Sequence, residues 1–260
     1  MSETANVSDI HQAALQRLRF ERAMGVEFVP RVTMAPLAAV RQVAPQSVRI
    51  PEASAEPAKQ PAGSANGTSE PLDRATRWQA LEARALACTR CVLHKGRHHV
   101  VFGTGNREAK LVFVGEGPGQ DEDLQGIPFV GRAGQLLNKI IAAMKLAREE
   151  VYICNVVKCR PPDNRTPLPD EVAACWPFLE EQLELVAPKA IVALGSPASK
   201  ALLRTTQGIM SLRGKWFSYR GIPVMPTYHP AFLLRQYTEE NRRAVWDDMK
   251  KVVEKIKEGQ

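Results

Sequence analysis

Leu111-Val112-Phe113-Val114-Gly115-Glu116-Gly117-Pro118-Gly119-Gln120-Asp121-Glu122-Asp123 sets an apolar, strand-like run directly against a glycine-rich, acidic loop. Apolar runs of strand length recur at 151–157, 190–195 and 223–227. Between and around them, helical periodicity covers 77–87, 134–145, 170–186, 197–203 and 242–257. The last is the clearest, with Val245, Met249, Val252, Val253 and Ile256 on one stripe. Pro169 suits the first turn of the third helix, whereas Pro177 inside it is expected to kink or divide it. Strands alternating with helices predict a parallel sheet covered on both faces. No internal repeat is present.

Ligands of open α/β sheets bind beyond the carboxyl ends of the strands, and each predicted strand ends in unusual residues. The first runs into the glycine-rich loop. The second ends at Asn155, ahead of Lys158-Cys159-Arg160-Pro161-Pro162. The third ends in Gly195-Ser196-Pro197, and the fourth in Tyr228-His229-Pro230-Ala231-Phe232-Leu233-Leu234-Arg235. The glycine-rich loop is not a nucleotide-binding turn. A dinucleotide fingerprint needs a third glycine where Gln120 stands. Pro118 has no N–H to offer a phosphate, and Glu116, Asp121, Glu122 and Asp123 would repel one. Gly126 to Gly131 has phosphate-loop spacing, but Arg132-Ala133 replaces the required Lys-Ser/Thr. The loop instead offers carboxylates and a backbone free to approach a neutral, flat ligand.

With 35 Lys and Arg against 28 Asp and Glu, the net charge is +7 and the pI about 9.3. That balance leans toward an anionic partner, nucleic acid being the commonest. The charge is unevenly placed. Residues 1–75 carry eight basic and eight acidic residues, so the whole excess lies in 76–260. The first 75 residues also hold seven of the 19 prolines and two aromatics, Phe20 and Phe28. The Ala-, Pro-, Ser- and Gly-rich stretch 41–71 buries too little surface to offset its ordering entropy and is expected to be a disordered linker. Ile10, Ala14, Leu15 and Leu18 have helical spacing ended by Gly25, which predicts a short, frayed helix. The expected division is therefore an extension over 1–74 and a folded domain over 75–260. The polar N-terminus lacks the apolar run of a secretory signal, and Glu3, Asp9, Glu21 and Glu27 argue against a mitochondrial leader. No uninterrupted apolar stretch is long enough to span a bilayer. Five cysteines without an export signal argue against a disulfide framework, so a reducing cytoplasm is expected.

Cys88 and Cys91 form a C-x2-C pair, and Cys159 and Cys175 lie 16 positions apart. Four thiolates can hold a tetrahedral zinc or a cubane iron–sulphur cluster. Cys154, inside a predicted strand, reads as a small core residue. His94, His98 and His99 are further candidate ligands, with a solvated or phosphate-facing loop as the plainer reading.

In these elements the chain resembles the family 4 uracil-DNA glycosylases, the iron–sulphur type found in bacteria and archaea. The matching residues are Cys88-x2-Cys91, Gly115-Glu116-Gly117-Pro118-Gly119, Gly126-Ile127-Pro128-Phe129-Val130-Gly131-Arg132-Ala133-Gly134 and Asn155 with Lys158-Cys159-Arg160-Pro161-Pro162. Cys175, Gly195-Ser196 and His229-Pro230-Ala231-Phe232-Leu233-Leu234-Arg235 complete the set. They recur in the family's order from residue 78 to about 250. A related covalent DNA-trapping branch carries a basic, histidine-containing insert after the second strand; here none follows Asn155 before Pro169, which argues for a turnover enzyme.

The resemblance implies an α/β fold, a three-layer αβα sandwich around a four-stranded parallel sheet. It also implies a [4Fe–4S] cluster on Cys88, Cys91, Cys159 and Cys175. The substrate would be uracil-containing DNA, single- or double-stranded, bound by a monomer that initiates base excision repair. The N-terminal extension, outside the resemblance, is left for a protein partner. Phe129 would stack on the flipped uracil and Asn155 bond its N3–H and O4 edge. The Gly117 backbone would approach the base, and Glu122 block thymine's methyl group. His229 would stabilise charge developing on O2, and Glu116 orient water or stabilise the cationic sugar. Ser196 and Arg235 would hold phosphates, with Leu233 or Leu234 wedged into the vacated stack. Two other readings stay open on sequence: a sister glycosylase for hypoxanthine or mismatched thymine, and a zinc-stapled DNA-binding or polymerase-accessory module without catalysis.

Overall fold

The computed structural model describes residues 73–258. The frayed helix and the linker expected in the N-terminal extension lie outside the described residues.

The sheet has six strands in the order β1-β3-β2-β4-β6-β5. They are β1 (Thr104–Gly105), β2 (Leu111–Gly115), β3 (Tyr152–Asn155), β4 (Ala190–Leu194), β5 (Phe217–Tyr219) and β6 (Ile222–Thr227). The inner four run parallel, as the sequence predicts. The expected count of four is corrected to six, because β1 and β5 pair antiparallel at the two edges. Strands of two and three residues are too short to show a period-2 pattern.

Every residue of β2 and β4 is buried, since helices cover both faces of a parallel sheet. Alternation then sorts the side chains between two cores. Val112, Val114, Ile191 and Ala193 join one, while Leu111, Phe113, Val192 and Leu194 join the other. The first core is covered by α1 (Arg74–Leu86) and α4 (Pro169–Val186), through Trp78, Leu81, Phe178, Leu179 and Leu183. On the opposite face lie α3 (Arg132–Ala143) and α8 (Glu239–Lys257), through Leu137, Ile141, Met249 and Val252. The remaining helices are short: α2 (Gln120–Gln125), α5 (Gly195–Leu203), α6 (Ile209–Leu212) and α7 (Pro230–Arg235). This is an αβα sandwich.

Several boundaries differ from the predicted ones, each for a local reason. α1 begins at Arg74 because Asp73 Oδ1 accepts from Thr76 N at 3.0 Å. α8 begins at Glu239 because Thr238 Oγ1 accepts from Asn241 N at 3.2 Å. Caps are polar and lie outside the apolar stripe that periodicity detects. β3 ends at Asn155, although Val156 and Val157 remain buried. Gly195 opens α5 in the left-handed region, φ 85°, rather than closing β4. Pro177 does not divide α4; Phe178, Leu179, Gln182 and Leu183 bury the helix beyond it, and that packing outweighs the lost hydrogen bond.

Candidate active site

The chain leaves β2 for β3 on one side and later returns to β4 on the other, so strand order reverses at β2. Such a switch point opens a crevice at the carboxyl ends. A cleft of about 570 Å³ lies there. It brings together eight residues that the sequence singled out: Glu116, Gly117, Glu122, Phe129, Asn155, Ser196, His229 and Arg235.

Asn155 closes β3, paired in register with Gly115. Its side chain is buried, and among the described residues its Oδ1 has no hydrogen-bond partner. An unpaired buried acceptor costs roughly 1–3 kcal/mol. Gly115 makes the arrangement possible, because a Cβ there would collide with Asn155 Oδ1 and with the Phe129 ring.

Phe129 is buried against the cleft in a left-handed conformation, φ 54°. For a bulky residue this costs about 1–2 kcal/mol, and strain of this kind persists only where the surroundings hold it. Glu122 supplies part of that hold. Its Oε1 accepts from Val130 N and Gly131 N, each at 2.9 Å, and its Oε2 from Gly119 N at 3.1 Å. Gly134 supplies another part, since any Cβ there would overlap the Phe129 carbonyl.

The His229 ring stands 5.6 Å from that of Phe129, centroid to centroid. Its Nδ1 accepts from Ala231 N at 3.0 Å. A backbone N–H can only donate, so the neutral ring carries its proton on Nε2. Burial, reinforced by the Arg235 guanidinium, pushes the imidazole down to about 4. Burial also raises the Glu116 carboxyl, against a hydrogen bond from Thr166 that lowers it. Ser196 sits in the first turn of α5, where N–H groups suit a phosphate. Leu233 is corrected as a wedge, because it is buried in the core. Leu234, 37% exposed, remains free for that role.

Sequence reasoning missed the 164–167 segment of the cleft wall, which contributes Asn164, Arg165, Thr166 and Pro167. It is tied down by Arg165, whose Nη1 and Nη2 grip the buried Glu171 carboxylate at 2.8 and 2.7 Å. No local signal joins a loop arginine to a helical glutamate.

Cys88, Cys91, Cys159 and Cys175 line a second cavity, together with Arg90, Arg97 and Lys158. Arg97 Nη1 donates to Cys159 Sγ, and Lys158 N to Cys175 Sγ, each at 3.2 Å. Cys154 is fully buried in the core, as expected. The histidines are engaged elsewhere: His94 Nδ1 meets Cys91 O at 2.7 Å, His98 Nδ1 meets Asp123 Oδ2 at 2.6 Å, and His99 Nδ1 meets Asp123 O at 3.0 Å.

The sequence profile of the Uracil DNA glycosylase superfamily matches residues 102–250, all six strands and the cleft included, and the fold and site are of that class. Over 181 residues the chain is 48% identical to a type-4 uracil-DNA glycosylase of Thermotoga maritima, covering 69% of this chain and 94% of that protein. Type-4 uracil-DNA glycosylases of Archaeoglobus fulgidus and Saccharolobus solfataricus are 44% and 42% identical, each across 65% of this chain and 88% and 82% of theirs. The chain belongs to the type-4 uracil-DNA glycosylase family. Among the described residues no helix is long and apolar enough to cross a membrane.

Proposed function

We propose that the cleft receives a uracil nucleotide flipped out of DNA and that its residues divide the hydrolysis of the N-glycosidic bond between them. The chain is a uracil-DNA glycosylase, a hydrolase of DNA repair. One observation carries the assignment of the pocket: the Oδ1 of buried Asn155, a residue of the cleft wall beside Phe129, has no partner among the described residues. It awaits the N3–H of uracil, while the amide N–H of the same side chain serves O4. Phe129 stacks on the base, and the Gly117 backbone lies along it. Glu122, its carboxylate held by three backbone donors, walls off a 5-methyl group. His229 donates from Nε2 to O2 as the bond breaks, a preorganised electrostatic role. Glu116 orients the water or faces the cationic sugar. Ser196 and Arg235 take flanking phosphates, and Leu234 fills the vacated stack. Release of free uracil from an oligonucleotide containing one uracil tests the reading. Release of hypoxanthine or mismatched thymine in its place would assign a sister activity, and release of no base would leave a binding module.

The four-cysteine cavity fits a [4Fe–4S] cluster on Cys88, Cys91, Cys159 and Cys175. The donor set is all thiol, and N–H groups of Arg97 and Lys158 already point at two of the sulphurs, as around an anionic cluster. A single zinc would need its four sulphurs about 3.8 Å apart, given Zn–S bonds of about 2.3 Å. Cys88, Cys91, Cys159 and Cys175 would hold the cluster between the end of α1, the segment after β3 and α4, where its contribution would be structural. Anaerobically purified protein is expected to be brown, with broad absorption near about 400 nm. Cys159→Ala or Cys175→Ala should lose colour and solubility together, whereas Cys154→Ala keeps both. A colourless protein with one stoichiometric zinc would overturn this. The five free thiols suit a reducing cytoplasm. We read the enzyme as a monomer whose extension over 1–74 is left for a protein partner; a shortened chain should keep Asp73, which caps α1.

A further inference from the structure

The strained Phe129 lies between two peptide planes, and each is pinned by a different charged side chain. The plane after it carries the Val130 N–H, bound by Glu122. The plane before it carries the Pro128 carbonyl, which accepts from Arg148 Nη2 at 2.6 Å. Because a peptide is planar, a residue has only two soft torsions, and holding the planes on both sides fixes both. Arg148 is itself braced, its Nη1 donating to Asn138 Oδ1 on α3 at 2.6 Å. The planar fork thus bridges the helix that starts after the Phe129 loop and the carbonyl that starts the strained turn. Arg148 belongs to the turn Arg148–Glu150, which leads into β3, and it is not one of the residues lining the cleft. It also feels the Glu122 carboxylate, so the two clamps favour each other electrostatically.

We propose that Arg148 is a positioning residue for uracil excision, holding the Phe129 ring in its stacking pose by pinning the Pro128 carbonyl. This rests on the reading that Phe129 stacks on the base. Without the guanidinium the 128–129 peptide can turn, Phe129 relaxes toward negative φ, and the ring leaves the position where the flipped base would meet it. Arg148 makes no contact with the base in this scheme; its whole effect passes through Phe129.

A double-mutant cycle tests that restriction. Single-turnover release of uracil from a single-uracil oligonucleotide is measured for the full chain, Phe129→Ala, Arg148→Met and the double variant. Affinity for uracil-free DNA is measured beside it. Phe129→Ala is expected to slow release about tenfold to a hundredfold, the range for losing a base–aromatic stack. Arg148→Met should slow it by up to that factor but add nothing in the Phe129→Ala background. Affinity for uracil-free DNA should be unchanged in Arg148→Lys, which keeps the charge. If Arg148→Met does not fold, Arg148→Lys replaces it in the cycle; one ammonium cannot span both acceptors as the fork does, and its smaller loss should again vanish when Phe129 is absent. Multiplying effects, or a wild-type rate in both Arg148 variants, would overturn the assignment of Arg148 while leaving the stacking intact. A wild-type rate in Phe129→Ala would overturn the stacking reading and this inference with it.

Discussion

Asn155→Asp is expected to lower uracil release by about a thousandfold or more, the scale on which a polar pocket rejects a ligand that leaves its groups unpaired. Uracil presents a donor at N3 and an acceptor at O4; cytosine presents the reverse at N3 and N4. A carboxamide held in one orientation matches uracil alone. The position is buried, so no water stands ready to replace a lost partner. Aspartate removes the N–H that O4 needs and sets a second acceptor against it. The same acceptor suits the amino group of cytosine, so weak cytosine release is the accompanying expectation. Affinity for DNA should change little, because most of it comes from phosphate contacts rather than from contacts to a base edge. The comparison is best made across a pH series, because a carboxyl kept protonated by burial could donate to O4 as the amide does, and only its ionised form presents two acceptors. A wild-type rate would show that Asn155 merely terminates a strand.

Asn155 could be picked out before any coordinates because it interrupts an apolar run, and β2, β4 and the α8 stripe were legible for the related reason that continuous or periodic burial leaves a mark on composition. Leu111 to Val114 lies under helices on both sides and therefore reads as an unbroken apolar run. What composition cannot show is a relation between distant residues. The Arg148–Pro128 bond spans 20 positions and the paired carbonyl belongs to the backbone, which every sequence shares. The Arg165–Glu171 grip and the need for glycine at 115 and 134 are likewise visible only once loops and strand ends meet. In α2 and α7, six residues each, a 3.6-residue period has less than two turns in which to declare itself. For that reason Leu233 and Leu234 looked equivalent, and only burial separates them. The roles given to Glu122 and His229 rest on resemblance to a family, and that of Glu116 on its being a carboxylate beside the sugar's place; the structure adds which atoms are free. Glu122 has both oxygens committed to backbone donors, whereas Asn155 has an oxygen to spare.

His229→Ala is expected to slow uracil release by about a hundredfold to a thousandfold, the usual loss for one preorganised donor to a developing oxyanion, with affinity for uracil-free DNA retained. The pH dependence separates the acting form of the ring. Ala231 N–H occupies Nδ1, so the neutral imidazole has its single proton on Nε2, available to O2 of the leaving base. Protonating Nδ1 would break that backbone bond and place a cation in a buried site, which is why burial pushes the ring down to about 4. Between pH 5 and 8 the histidine therefore stays neutral, and release should show no ionisation attributable to it. The part of the acid loss that His229 causes should come only as the pH approaches about 4. Folding stability follows the same sign: an unfolded histidine titrates near about 6.5, so the folded state binds fewer protons below that value. The His229 contribution is then complete above pH about 6.5 and falls as pH drops toward about 4. If the imidazolium were the acting form, release would instead rise as the pH fell through the ordinary histidine range, and the rise would vanish in His229→Ala. Observing that pattern would reverse the assignment, because a ring charged at neutral pH cannot keep the Ala231 N–H on its Nδ1.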